Sequence, residues 1–165
     1  MSPGSGRGFF VYNLHIMKNV CGSYILILEL KKPRRVKIGS LEFCKFPKGH
    51  YFYVGSAKKG IEQRIMRHIR SNIKHWHIDY LKAKAKIIGA IIIEDSNLNE
   101  CTISSILRKR YEAPVRNFGS SDCSCSSHLF FDPTFKSSIK SLIEYLKANE
   151  IEFTIKTIKS LLSQS

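Results

Sequence analysis

Acidic residues are scarce in this chain: 13 Asp and Glu stand against 27 Lys and Arg in 165 residues, for a net charge of +14 and a pI near 9.7. Long apolar runs are missing too. None approaches the roughly 18 residues a membrane-spanning helix needs, which excludes that class of protein. The five cysteines are odd in number and scattered, which argues against a disulfide framework, and a reducing, cytoplasmic setting is expected. The opening MSPGSGRGFF lacks the apolar centre of a secretion signal, and residues 1–19 read as a loose tail. No internal repeat is visible, and low complexity is confined to the first eight residues. What is present is a foldable core. Hydrophobic residues make up 43%, with 18 aromatics among them, which rules out intrinsic disorder at a length suited to one domain.

A surplus of positive charge repels itself in the compact state and points to a polyanionic partner, nucleic acid before anionic membrane. The competing explanation is a generic basic background. The distribution argues against it: Lys31–Lys86 holds sixteen Lys and Arg and three acids, whereas the rest of the chain holds eleven and ten. The excess is a surface.

The hydrophobic patterning describes an α+β domain. GSYILILEL (Gly22–Leu30) reads as a buried strand, KKPRRVKIGS and LEFCKF as an exposed basic hairpin, and YFYVGSA as a second strand ending at Gly55. From Gly60, Ile61, Ile65 and Ile69 form the apolar stripe of a helix. A second helix is expected over His75–Ala85, a central strand over KIIGAIIIED, and a third helix from an Asn97 cap to about Glu112. NFGSSDCSCSS is a loop, HLFF a short strand and FKSSIKSLIEYLKAN an amphipathic helix, whose apolar face is core or, alternatively, a dimer surface. The last segment is a strand and short helix, or helix throughout. The expected architecture is a mostly antiparallel mixed sheet flanked by helices, with residues 20–132 as the main domain and 133–165 as a helical extension packed on it.

Several residues carry chemistry. Tyr24 and Tyr53 each lie close to a strand glycine, where backbone or ligand can approach; each is also readable as an ordinary strand aromatic. Arg64 and His68 are four apart on one helical face, with Arg67 alongside. Arginine offers a fixed fork of donors for phosphate, and histidine exchanges protons near neutrality. Amid Lys58, Lys59 and Arg70, the same face is readable as plain solvated charge. Glu100 supplies the carboxylate that a hard cation needs in phosphodiester hydrolysis, yet Asn97-x-x-Glu100 is close to a capping box. His75 and His77 could contact phosphate and Trp76 could stack on a base; the alternative buries Trp76 and pairs Asp79 with a nearby cation. Cys123, Cys125 and His128 give three soft ligands, with His75 or His77 as a fourth, but the tight spacing and flanking serines favour a polar turn over zinc.

In their order along the chain, Gly22-Ser23-Tyr24, Tyr53-Val54-Gly55-Ser56, Arg64-x-x-x-His68 and a later helical Glu100 resemble the GIY-YIG (Uri, for UvrC and intron-endonuclease) nuclease superfamily. The likeness is to a branch of small archaeal and bacterial proteins that also carries blocks like Lys74–Leu81 and Gly119–Phe130. It runs from about Val20 to Phe131. It implies a metal-dependent phosphodiesterase in which Tyr24 orients or deprotonates water, Tyr53 supports it, and Arg64 stabilises charge on the phosphate. Glu100 would hold one Mg²⁺ or Mn²⁺, and His68 would assist proton transfer or hold phosphate. Local positive charge and metal are expected to lower the tyrosine pKa from its usual ~10. The sequence departs from the superfamily pattern in three respects. A basic hairpin separates the two tyrosine strands, Ser23 and Val54 stand where isoleucines are usual, and only Asn117 is available as the later asparagine.

The expected function is cleavage of DNA, single-stranded or damaged substrates included, with RNA an open alternative, by a monomer or homodimer that needs no membrane. Lys58, Lys59, Arg67, Arg70, Lys74, His75 and His77 would contact nucleic acid, while Asp79, Ser121 and Asp122 would order the active-site loop. The competing functions are a non-catalytic nucleic-acid-binding module on the same fold and a zinc-stabilised regulator.

Overall fold

The computed structural model describes residues 21–163; the tail expected over residues 1–19 lies outside them. Strands β1 (Gly22–Leu30), β4 (Gly49–Ala57), β5 (Lys86–Ile93), β6 (Leu129–Asp132) and β7 (Thr154–Thr157) form one sheet in the order β6-β4-β1-β5-β7. Every pairing in it is antiparallel, so the mixed component expected from sequence is not found. The most apolar segments, β1, β4 and β5, take the three central places, because only there are both faces of a strand covered. Pro33 ends β1's run, and β2 (Arg34–Lys37) pairs with β3 (Phe43–Phe46) as the separate basic hairpin the sequence announced.

Helices cover both faces. Helices α1 (Ile61–Arg70), α2 (His77–Lys82) and α5 (Ile158–Leu162), with the hairpin, pack on the face that carries Tyr24, Leu26, Leu28 and Tyr53. Helices α3 (Glu100–Arg108) and α4 (Ser138–Ala148) pack on Ile25, Ile27, Phe52 and Val54. Alternation along β1 and β4 therefore sends the tyrosines to one core and the branched aliphatics to the other. Leu142 and Leu146 of α4 are fully buried in that second core, which answers the choice between core and dimer surface. The C-terminal segment is a strand and a short helix: β7 extends the sheet, and Lys156 of β7 meets Glu62 of α1 at 3.6 Å. No helix among the described residues is long and apolar enough to cross a membrane.

Three boundaries differ from expectation. Helix α2 begins at His77, because the Asp79 carboxylate accepts the His75 and Trp76 backbone N–H groups at 2.9 and 2.8 Å and turns those residues out of the helix. Helix α3 ends at Arg108, short of Glu112, in a turn where the Arg110 and Tyr111 N–H groups bond back to the Leu107 carbonyl. Its cap is Asn99 rather than Asn97, the Asn99 side chain accepting from the Thr102 N–H at 2.8 Å.

Candidate active site

The cap change decides the role of Glu100. In a capping box, the acid three residues beyond the cap reaches back to it. With Asn99 as cap that position is Thr102, and Glu100 is the first helical residue. Its carboxylate is left for other duty at the positive end of the helix dipole. Ser23 fixes where that end sits: its buried hydroxyl donates to the Leu98 carbonyl at 3.0 Å and ties the start of α3 to β1. The serine in place of isoleucine thus has a use that its small size in a strand did not reveal.

Glu100 opens onto a cleft of about 540 Å³ shared by Tyr24, Tyr53, Gly55, Ser56, Lys58, Lys59, Arg64, His68, Trp76, Gly119 and Asp122. All five residues expected to be catalytic are therefore on one cavity, despite the inserted hairpin. The hairpin leaves the β1–β4 register intact, with Tyr24 opposite Gly55 and Leu26 opposite Tyr53. Both phenols then rise from the same face of neighbouring strands. Gly55 is glycine because the Tyr24 ring lies across it: a Cβ there would sit 2.4 Å from the phenol oxygen. Gly119 has a left-handed φ of 68° and brings its loop against Tyr53, where a Cβ would lie 2.9 Å from the ring.

The stripe of α1 contains a residue the aliphatic pattern hid. His68 is 1% exposed, as buried as Ile61 and Ile65, whereas Ile69 is only partly covered. A solvated basic face is thus the wrong description of His68. Its Nε2 lies 2.7 Å from the Tyr24 hydroxyl, and its Nδ1 lies 3.7 Å from Asp79 Oδ1. The second distance is too long for a hydrogen bond but directs the Nδ1 proton at the carboxylate. In that tautomer Nε2 is the acceptor and the Tyr24 hydroxyl donates to it. Asp79, His68 and Tyr24 form a line from the α2 cap to the cleft.

Burial dominates the electrostatics. Desolvation pushes the Tyr24 phenol well above its ordinary range, the neighbouring Tyr53 adds to the rise, and Arg64 opposes it. Tyr53 is raised in the same way, by burial first and then by the Glu100 and Asp79 carboxylates. Arg64 pulls both phenols downward, as expected from sequence, but burial outweighs it because both rings lie in the core behind the cleft. Burial likewise lowers the pKa of His68, with Asp79 pulling the other way. Asp79 is pushed up by burial but more strongly down by the His68 ring and the Trp76 and His75 N–H groups, to about 2. The resting site holds neutral phenol, neutral imidazole and ionised carboxylate.

Of the residues expected on nucleic acid, Lys58 and Lys59 line the cleft; Arg67, Arg70, Lys74, His75 and His77 do not. Arg67 and Arg64 instead stack on the Trp76 ring at 3.9 and 4.7 Å, so this half-buried tryptophan orients the arginine fork. Lys74 lies over Tyr80, and His75 packs against Trp76. His77 Nδ1 accepts the Gly119 N–H at 2.9 Å and so braces the loop beside Tyr53. Ser121 donates to Asp122 at 3.2 Å, and only the aspartate reaches the cleft wall. Asn117 sits at a left-handed turn, bonded through its backbone to Ser126 and outside the cleft lining.

An antiparallel α+β sandwich with a carboxylate–imidazole–phenol line opening on a basic cleft is the class this chain defines. Residues 23–151 match the family described as Domain of unknown function DUF123, and the chain belongs to that family. No curated protein and no solved structure matches it.

Proposed function

We propose that the protein is a metal-dependent endonuclease of the GIY-YIG type, hydrolysing phosphodiester bonds in DNA. One observation carries the reading: the Tyr24–His68–Asp79 line opens into the same cleft as the Arg64 guanidinium and the uncommitted Glu100 carboxylate. Lys58 and Lys59 on the rim offer charge to the flanking phosphates.

The donors fit a hard divalent cation. Glu100 presents carboxylate oxygens free of helix capping, Asp122 adds a second carboxylate on the wall, and the cavity leaves room for the waters that Mg²⁺ retains. Held by Glu100, Mg²⁺ or Mn²⁺ would supply positive charge at a phosphate oxygen. Arg64 binds the scissile phosphate and takes up the charge that develops on it. Tyr24 orients the attacking water. As the water oxygen bonds to phosphorus, the P–O bond to the leaving nucleotide oxygen breaks and that oxygen takes a proton from solvent; the water proton passes to the Tyr24 oxygen while the phenol proton passes to His68 Nε2. Asp79 favours the imidazolium so formed. A phenol with a raised pKa is a poor base alone, but here its own proton leaves as the new one arrives.

The experiment uses labelled single- and double-stranded DNA with the purified chain in Mg²⁺ or Mn²⁺. Cleavage is expected, and Glu100→Gln or Arg64→Ala should lower it by about 10²–10³-fold, Glu100→Gln without loss of binding. Binding with no turnover in either metal would favour the non-catalytic module.

A further inference from the structure

Sequence spacing offers only two cysteines and a histidine within one loop; the fold adds a third thiol from α3. Cys101 stands on α3 immediately after Glu100 and meets Cys123, Cys125 and His128, and the four ligand atoms all lie within 4.8 Å of one another. His75 and His77, the fourth ligands considered from spacing, are not part of this group. We infer that Cys101, Cys123, Cys125 and His128 form a structural Zn²⁺ site that clamps the start of α3 to the loop over residues 119–128.

The chemistry of the donors selects the ion. Three sulfurs and an imidazole suit Zn²⁺ and are wrong for the hard cation proposed at Glu100, so the two sites do not compete. Tetrahedral zinc holds sulfurs about 3.8 Å apart and sulfur and nitrogen about 3.6 Å apart, given its ~2.3 Å and ~2.05 Å bonds. Cys123 Sγ and His128 Nε2 are already 3.4 Å apart, and the remaining pairs need to close by about 1 Å at most. All four cysteine and histidine side chains are at least partly buried, and the cysteines are not disulfide-bonded. His128 is 1% exposed and fixed by its backbone, its N–H donating to Phe118 and its carbonyl accepting from Val54. One ligand is therefore pre-placed by the sheet and the others are brought to it.

The position explains why a clamp belongs there. Residues 109–128 contain no helix or strand beyond a single bridge at Glu112, yet this segment carries Gly119 and Asp122 to the cleft. Metal crosslinks stabilise most where they close long loops. The zinc site stands independently of the nuclease reading.

The test is metal analysis of the full chain purified without chelator, combined with a count of reactive thiols before and after zinc release. About one zinc per chain is expected, protecting three thiols, and cobalt exchanged into the site should show the visible absorption of a tetrahedral thiolate complex. Cys101→Ser and Cys125→Ser should lower zinc to near zero, while Cys21→Ser and Cys44→Ser should leave it unchanged. A chain without zinc that takes up neither zinc nor cobalt, with all five thiols reactive or two of them oxidised to a disulfide, overturns the site, as does full zinc retention in Cys101→Ser. If the variants do not fold, the thiol and cobalt measurements on the wild-type chain still decide. No nucleic acid is involved, so failure here is distinct from failure to cleave DNA.

Discussion

Asp79 links the fold to the chemistry, and Asp79→Asn separates its charge from its shape. The asparagine keeps the size and one acceptor oxygen but removes the negative charge that faces His68 and the two N–H groups at the start of α2. The ionised group is favoured in the folded chain, its pKa falling from 3.8 to about 2. At about 1.4 kcal/mol per pH unit the charge is worth up to about 2 kcal/mol. Because His68 is neutral at rest and 3.7 Å away, the two backbone N–H groups carry most of this, and about 1–2 kcal/mol is the expected loss at pH 7. A depressed carboxylate stabilises fully above its unfolded pKa and ceases to do so as pH falls through its folded value. For the Asp79 charge itself the penalty should therefore be constant from pH 7 to pH 5, fall to about half by pH 3, and disappear only below pH 2 as Asp79 becomes fully protonated. Urea unfolding followed by circular dichroism, wild type against variant at each pH, measures it; in thermal melts the neutral-pH loss is a shift of about 2–8 °C. A penalty that stays the same down to pH 3 would mean that shape, not charge, accounts for the contribution, and the electrostatic argument would be wrong.

The same line of residues makes a kinetic prediction. Cleavage should fall on acidification with a midpoint below the usual histidine value of about 6.5, because burial lowers His68, and Asp79→Asn should move that limb to still lower pH. A limb that moves upward would reverse the proposed roles. Gly55→Ala places a methyl group 2.4 Å from the Tyr24 ring and should destabilise the fold by about 1–3 kcal/mol in urea titration while breaking the contact with His68. Double-stranded DNA affinity should fall with salt with a log–log slope of about −0.9 per neutralised phosphate, and Lys58→Ala with Lys59→Ala should reduce the slope by up to about 2. An unchanged slope would remove the cleft rim from the binding surface.

The element order was legible because β1, β4 and β5 are so apolar that nothing but central strands can bury them, and because Pro33 and Gly60 punctuate the chain where the hydrophobic period changes. Periodicity treats histidine as polar, so the stripe it predicts for α1 runs through Ile69 and puts the buried His68 on the charged face. The cap of α3 is hidden by local geometry. Asn97 and Asn99 are both good caps by composition, and the choice rests on which side chain reaches an N–H two or three residues on, a matter of backbone geometry. Cys101 was out of reach for a different reason: it lies far from Cys123 in sequence, and only the packing of α3 against β4 and its neighbouring loop brings them together.

Burial and charge compete over the phenols, and which of them wins sets the kind of mechanism available. A solvent-facing tyrosine among sixteen basic side chains would ionise more easily and could act as a base directly. Tyr24, at 2% exposure, cannot: removing its hydroxyl proton without replacing it would leave a bare negative charge in the core. The protein needs an acceptor already in contact, and His68 Nε2 at 2.7 Å is that acceptor, itself kept neutral by the same burial and steadied by the Asp79 charge behind it. Loss of His68 should therefore be far more damaging than loss of any rim lysine. In the proposed reaction the lysines would add attraction spread over many phosphates, whereas without the imidazole the Tyr24 proton would have no place to go.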